Sequence, residues 1–170
     1  MENKLPITRM SKFFSEEDFD LHMKLGQEYL HGDLNMKLVL FRVDTTRTDN
    51  DDVYGEVGRD QISYLPPVEF NGIVRVEEAK TQSYGSGMLR YLEPGNITVS
   101  VYVDHLDSLG VDIKVGDYIG YPDSESRVRY YNVVNDGKVN ADNKRHHFGY
   151  KPSYRTIICS PVQENEFRGV

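Results

Sequence analysis

At 170 residues with 38 % hydrophobic content, the chain is the length of one domain and leaves room for extended polar loops. A net charge of −7 excludes the basic footprint of a protein that grips nucleic acid through its phosphates, and a single cysteine excludes an intramolecular disulfide. No stretch approaches the ~18 apolar residues of a membrane span and the N-terminus lacks a signal-peptide core, so a soluble protein of a reducing compartment is expected.

Residues 1–14 form a mixed arm around Pro6 with no clear period. Ser15-Glu16-Glu17-Asp18 then reads as a helix start, with serine as N-cap and acids in the first turn. Phe19, Met23 and Leu30 fall on one side, with Leu21, Leu25 and Tyr29 on the flank, and Gly32-Asp33 ends the helix. Residues 1–34 are thus an arm and a helix, the only substantial one expected. Residues 35–163 form a β domain, and 164–170 a short tail.

The β domain opens with the apolar run 36–43, of buried-strand length. A polar stretch follows over 44–67, too long for an ordinary connection in a small domain. Residues 68–79 read as a strand with Gly72 as a bulge, and 81–92 as a loop built around Tyr84-Gly85-Ser86-Gly87. Ile97, Val99, Val101 and Val103 alternate with polar residues as in a half-buried strand. A short helical turn is expected over 105–110. Val115-Gly116-Asp117 turns the chain into a strand over 118–121, which Pro122 and Asp123 break. Residues 127–134 resume as a strand rich in valine and tyrosine, closed by Asn135-Asp136-Gly137, where glycine supplies the positive φ. A polar loop over 140–151 precedes a last strand over 154–162. The expected fold is mainly β, a barrel or sandwich with long loops and one N-terminal helix.

Charge is unevenly placed along this frame. Residues 44–60 hold six acids (Asp44, Asp49, Asp51, Asp52, Glu56, Asp60) against Arg47 and Arg59. Residues 127–155 hold seven bases (Arg127, Arg129, Lys138, Lys144, Arg145, Lys151, Arg155) against Asp136 and Asp142. Such patches pair within one fold, pair between neighbouring copies in a head-to-tail ring, or remain solvated loops. Asp49, Asp51, Asp52, Glu56, Arg127, Arg129, Lys144, Arg145 and Lys151 are the candidate interface residues.

Catalytic and ligand-binding patterns are missing. His146 and His147 are adjacent, so on an extended chain they point to opposite faces and do not share a metal. Asp49-Asn50-Asp51-Asp52 lacks the glycine and terminal glutamate of an EF-hand loop. Gly85-Ser86-Gly87 has no strand-to-helix junction or P-loop lysine beside it. There is no nucleophile elbow, and Cys159 lies in an apolar run, as a buried structural thiol does. A non-enzymatic protein without cofactor or metal is expected.

From Tyr54 onward the order of features resembles the neck, or head-completion, proteins of contractile-tailed bacteriophages. The matching pieces are Val53-Tyr54-Gly55-Glu56, the glycine-rich run from Tyr84 to Met88, and Ile97-Thr98-Val99-Ser100-Val101. They continue with Lys114 to Pro122, Tyr130-Tyr131-Asn132-Val133-Val134 and Phe148-Gly149-Tyr150. The resemblance covers roughly the last two-thirds of the chain, and the order of the pieces carries it. It implies a virion structural protein, made in the host cytoplasm, that forms a homo-oligomeric ring of sixfold or twelvefold symmetry at the head–tail junction. Its partners would be a portal or adaptor protein above and a tail terminator or tail protein below. Double-stranded DNA would pass through the lumen without specific binding, and no membrane is involved. Two other readings stand beside it: a tail-completion or tail-terminator ring, and a small β-barrel that binds single-stranded nucleic acid through exposed Tyr130 and Tyr131.

Overall fold

The N-terminal helix forms where its cap signals lie. In the computed structural model, which describes residues 15–48, 62–84, 89–93, 95–125, 127–138, 146–147, 151–162 and 166–167, α1 spans Glu16–Glu28. The Asp18 N–H donates to Ser15 Oγ (3.2 Å), and the Ser15 N–H donates back to the Asp18 carboxylate (2.7 Å). This reciprocal capping box satisfies two of the unpaired donors of the first turn. One wider, π-helical turn over Tyr29–Leu34 extends the helix, and left-handed Asn35 (φ 42°) stops it. Phe19, Met23 and Leu30 are buried, and Gly26 lies so close to Tyr102 that a Cβ there would sit 2.3 Å from the tyrosine oxygen.

Eleven strands are present among the described residues: β1 Lys37–Phe41, β2 Val68–Asn71, β3 Ile73–Val76, β4 Lys80–Tyr84, β5 Leu89–Glu93, β6 Ile97–Tyr102, β7 Tyr118–Ser124, β8 Arg127–Asn135, β9 His146–His147, β10 Lys151–Pro152 and β11 Tyr154–Pro161. A second helix, α2, spans Val103–Leu109 between β6 and β7. Seven strands form an antiparallel sheet in the order β2-β1-β7-β8-β11-β6-β3.

The two ends of that sheet are separated by one residue, Gly72. β2 pairs with β1 and β3 pairs with β6, so the segment 68–76 is a single bent strand that joins both edges. The sheet therefore closes on itself as a barrel of six positions, which removes its open edges. At the bend a Cβ on Gly72 would lie 3.0 Å from Val99 Cγ1 and 3.2 Å from Leu38 Cδ1. Glycine is what allows β1 and β6 to approach on either side.

Strand alternation fills the interior with Leu38, Leu40, Phe70, Ile97, Val99, Val101, Ile119, Tyr131, Val133, Ile157 and Cys159. Leu106 of α2 and Val111 and Ile113 of the following segment join the same core. A second cluster lies on the outer face of β1, β7 and β8, where Phe41 and Tyr118 are covered by Phe167. The Tyr118 and Phe167 rings stack with centroids 4.5 Å apart. Phe167 thus belongs to the domain, although the segment from 164 onward reads as a separate tail.

Three local expectations are corrected. The stretch 81–92 is not one loop but carries the two strands β4 and β5, paired from Lys80↔Glu93 to Tyr84↔Leu89. Pro122 does not end β7, which continues to Ser124 with a register shift at that point. The irregularity falls at the hairpin tip, where a missing N–H costs the ladder least. His146–His147, inside the expected loop 140–151, pairs with Lys151–Pro152 at its end.

Candidate assembly interface

The direction of each strand decides where the long connections emerge. Because every neighbour in the barrel is antiparallel, the β1–β2 connection (42–67), the β6–β7 connection (103–117) and the β8–β11 connection (136–153) all leave from one end. The β3–β6 connection, which carries the β4–β5 hairpin, and the β7–β8 tip lie at the other. Around the barrel β1 and β2 are adjacent, as are β8 and β11, with β7 between the pairs one way and β6 the other. The acidic connection and the basic connection therefore spring from opposite sides of the same end.

The β6–β7 connection crosses between these two sides and plugs the barrel mouth with α2 and Val111 to Asp117. Asp117 holds this plug to two strands. Its carboxylate accepts the N–H of Val43, just after β1 (3.0 Å), and that of Lys114 (2.8 Å). Its backbone carbonyl accepts the N–H of Val133 in β8 (2.8 Å), while Gly116 donates to the Val133 carbonyl (2.9 Å). Burial pushes the Asp117 carboxyl above its usual range, against the pull of the two amide bonds and of nearby Arg42 and Lys114. The Gly-Asp turn of the sequence is thus a staple between β1, β7 and β8.

At the basic side, Asp112 binds Lys138 and Arg155. Arg155 Nη1 donates to Asp112 Oδ1 (3.2 Å), and the Lys138 ammonium pairs with Oδ2. Arg155 is buried, and its Nε has no partner among the described residues. The two cations hold the Asp112 carboxyl below its usual range, although burial opposes them and is the largest single influence. On the acidic side, Asp44 accepts the Thr46 hydroxyl (2.6 Å) and amide (3.0 Å), which lower its pKa and start the connection with a tight turn.

His105 of α2 faces the bend in the barrel wall. The Asn71 N–H donates to His105 Nε2 (3.2 Å), so this ring is neutral with its proton on Nδ1. Burial first, and then the His31 ring whose centroid is 4.6 Å away, push its pKa down.

The candidate residues fall into three groups. Asp49, Asp51, Asp52, Glu56, Lys144 and Arg145 lie outside the described residues. Lys151 is in β10, opposite His147, at the loop-bearing end. Arg127 and Arg129 lie at the other end, at the tip of the β7–β8 hairpin, where Asp123 binds both; Arg129 Nε to Asp123 Oδ2 is 3.0 Å. The nine residues of β8 carry the chain ~30 Å from Arg127 toward Lys138. The seven bases are contiguous in sequence, but their described members do not make one patch. Sequence reasoning missed Asp112, Asp117 and His105, whose roles rest on partners far away along the chain.

Tyr131 points into the barrel and is buried, and partly buried Tyr130 makes T-shaped ring contacts with Phe41 and Phe167. Among the described residues no group of three or more His, Cys, Asp or Glu side chains is placed to hold a metal, and no helix is long and apolar enough to cross a membrane. Cys159 is fully buried in the core, and burial pushes its thiol up to about 12. In comparisons with known proteins, no family model and no curated protein matches the chain.

Proposed function

We propose that this chain is a ring-forming structural subunit of a phage neck, lying between the portal or adaptor and the tail, closing the head after packaging and docking the tail. One observation carries the reading: the acidic and basic connections leave opposite sides of one barrel end. Connections that leave from opposite sides of a mouth closed by the β6–β7 connection suit pairing of their charges with those of the next copy. A contact between two different surfaces of identical subunits repeats head to tail and closes into a ring. The resemblance supports the same reading, since its Gly116-Asp117, Tyr118 to Pro122 and Tyr130 to Val134 pieces fall on the stapled turn, β7 and β8 of one barrel.

Electrostatic closure makes the ring sensitive to salt and to charge reversal. Replacing Asp51 and Asp52 together by lysine shifts the population from ring to monomer at moderate salt, read by light scattering. An unchanged oligomer mass contradicts the charge-pairing account. The layer is decided by binding: filled heads capture a head-closure ring, whereas capture by purified tails alone assigns the chain to the tail-terminator layer.

A further inference from the structure

Two histidines from different elements meet over the bend that closes the barrel. His105 of α2 is buried, and its Nε2 accepts the Asn71 N–H (3.2 Å). His31, exposed on the π-helical turn Tyr29–Leu34, sets its ring T-shaped to that of His105, with centroids 4.6 Å apart and planes at 71°. The next residue of the bend bonds the chain that leaves this turn, since the Gly72 N–H donates to the Met36 carbonyl (3.3 Å). Asn71 and Gly72 thus hold α2 on one side and the end of the N-terminal helix on the other. Single π-helical turns are rare and recur at functional sites, and this one carries His31.

An imidazole is the side chain that changes charge near neutral pH. A proton on His105 Nε2 turns the acceptor into a donor facing the Asn71 N–H, which is itself a donor. The bond is lost, and two buried donors are left against each other. The charged groups on the elements that meet here are Glu28 of α1, Asp33 of the π-helical turn, the Lys37–Glu69 pair across β1 and β2, and Asp104 and Asp107 of α2. None of these supplies a counter-charge to the ring: among the described residues, burial and His31 are what act on it, and both oppose a charged His105. The closed pocket has no place for an imidazolium, whereas an opened one hydrates it.

From this geometry we infer that the His31–His105 pair is an acid-operated latch: protonation of His105 breaks its bond to the bend and releases the turn 29–34, with the end of the helix, from the barrel. The opening is local. Phe19 and Met23 keep the first turns of α1 buried, and the turn itself has Leu30 as its buried anchor. The latch works within one copy and does not depend on ring formation.

Hydrogen exchange of the full-length protein, read by peptide at pH 7.5 and 5.5 and corrected for the intrinsic pH dependence of exchange, tests this. Opening takes up one proton on a ring that titrates near ~6.5 once released, so it becomes about tenfold more frequent at the lower pH. Protection over 29–36 is expected to fall by that factor while protection over 127–135, in β8, is unchanged. His105→Gln keeps an acceptor for the Asn71 N–H and takes no proton, so its protection over 29–36 stays level. Level protection in the wild type, or an equal fall in His105→Gln, overturns the latch. A fall of the same size in every peptide marks global unfolding and overturns it as well. A second readout needs no variant: the His105 ring signal, followed by NMR, titrates with the midpoint at which 29–36 loses protection. A ring that takes its proton while 29–36 stays protected contradicts the inference.

Discussion

Asp117 ties the plug to β1, since its two carboxylate oxygens each accept a backbone N–H from a different segment. Asparagine has nearly the same shape but brings an NH2 group against one of those donors. Asp117→Asn is expected to destabilise the fold by about 1–3 kcal/mol, the cost of a buried donor left unpaired. Denaturant midpoints measure this, and an unchanged midpoint contradicts the staple. His105 makes a pH-dependent contribution. Its folded pKa is depressed by burial first and then by the neighbouring His31 ring, whereas the unfolded ring takes a proton near ~6.5. Below that pH the unfolded state binds more protons, so stability is complete above ~6.5 and falls as pH drops, by at most ~1.4 kcal/mol per unit. His105→Gln keeps an acceptor and removes this titration. Its stability should fall less steeply than the wild type's between pH 7.5 and 5.5, and parallel curves refute the assignment.

At the scale of elements, the barrel depends on the bend at Gly72, which lets one strand serve as both edges of the sheet. Gly72→Val drives two methyl groups into Leu38 and Val99 and is expected to cost about 1–3 kcal/mol by overpacking, read by thermal unfolding. A neutral effect would mean that the bend tolerates a side chain and does not set the closure. Most strands were legible from sequence because one face of each is buried, and the alternation of Ile97, Val99 and Val101 states that burial directly. The capping residues of α1 were legible for a similar reason, since the bonds are local. Closure of the sheet was not, because it depends on pairing Gly72's neighbours with strands more than twenty residues away on each side. The β4–β5 hairpin reads as a loop in the sequence because its residues show no strong apolar alternation. Leu21, Leu25 and Tyr29 of α1 read only as the flank of a wide apolar face, since periodicity does not say which part of that face a barrel covers.

For the whole molecule, sequence exposed the unequal distribution of charge but not its geometry. Arg127 and Arg129 are close to Lys138 along the chain, yet a strand of nine residues carries them to the other end. What topology contributes is the separation of the acidic and basic connections to opposite sides of one mouth. The central claim is that identical copies close head to tail through such surfaces. Native mass measurement at low and high salt tests it most directly. A single closed oligomer at low salt that loses subunits as salt rises is the predicted result. A monomer at every salt concentration, or a dimer indifferent to salt, would contradict it.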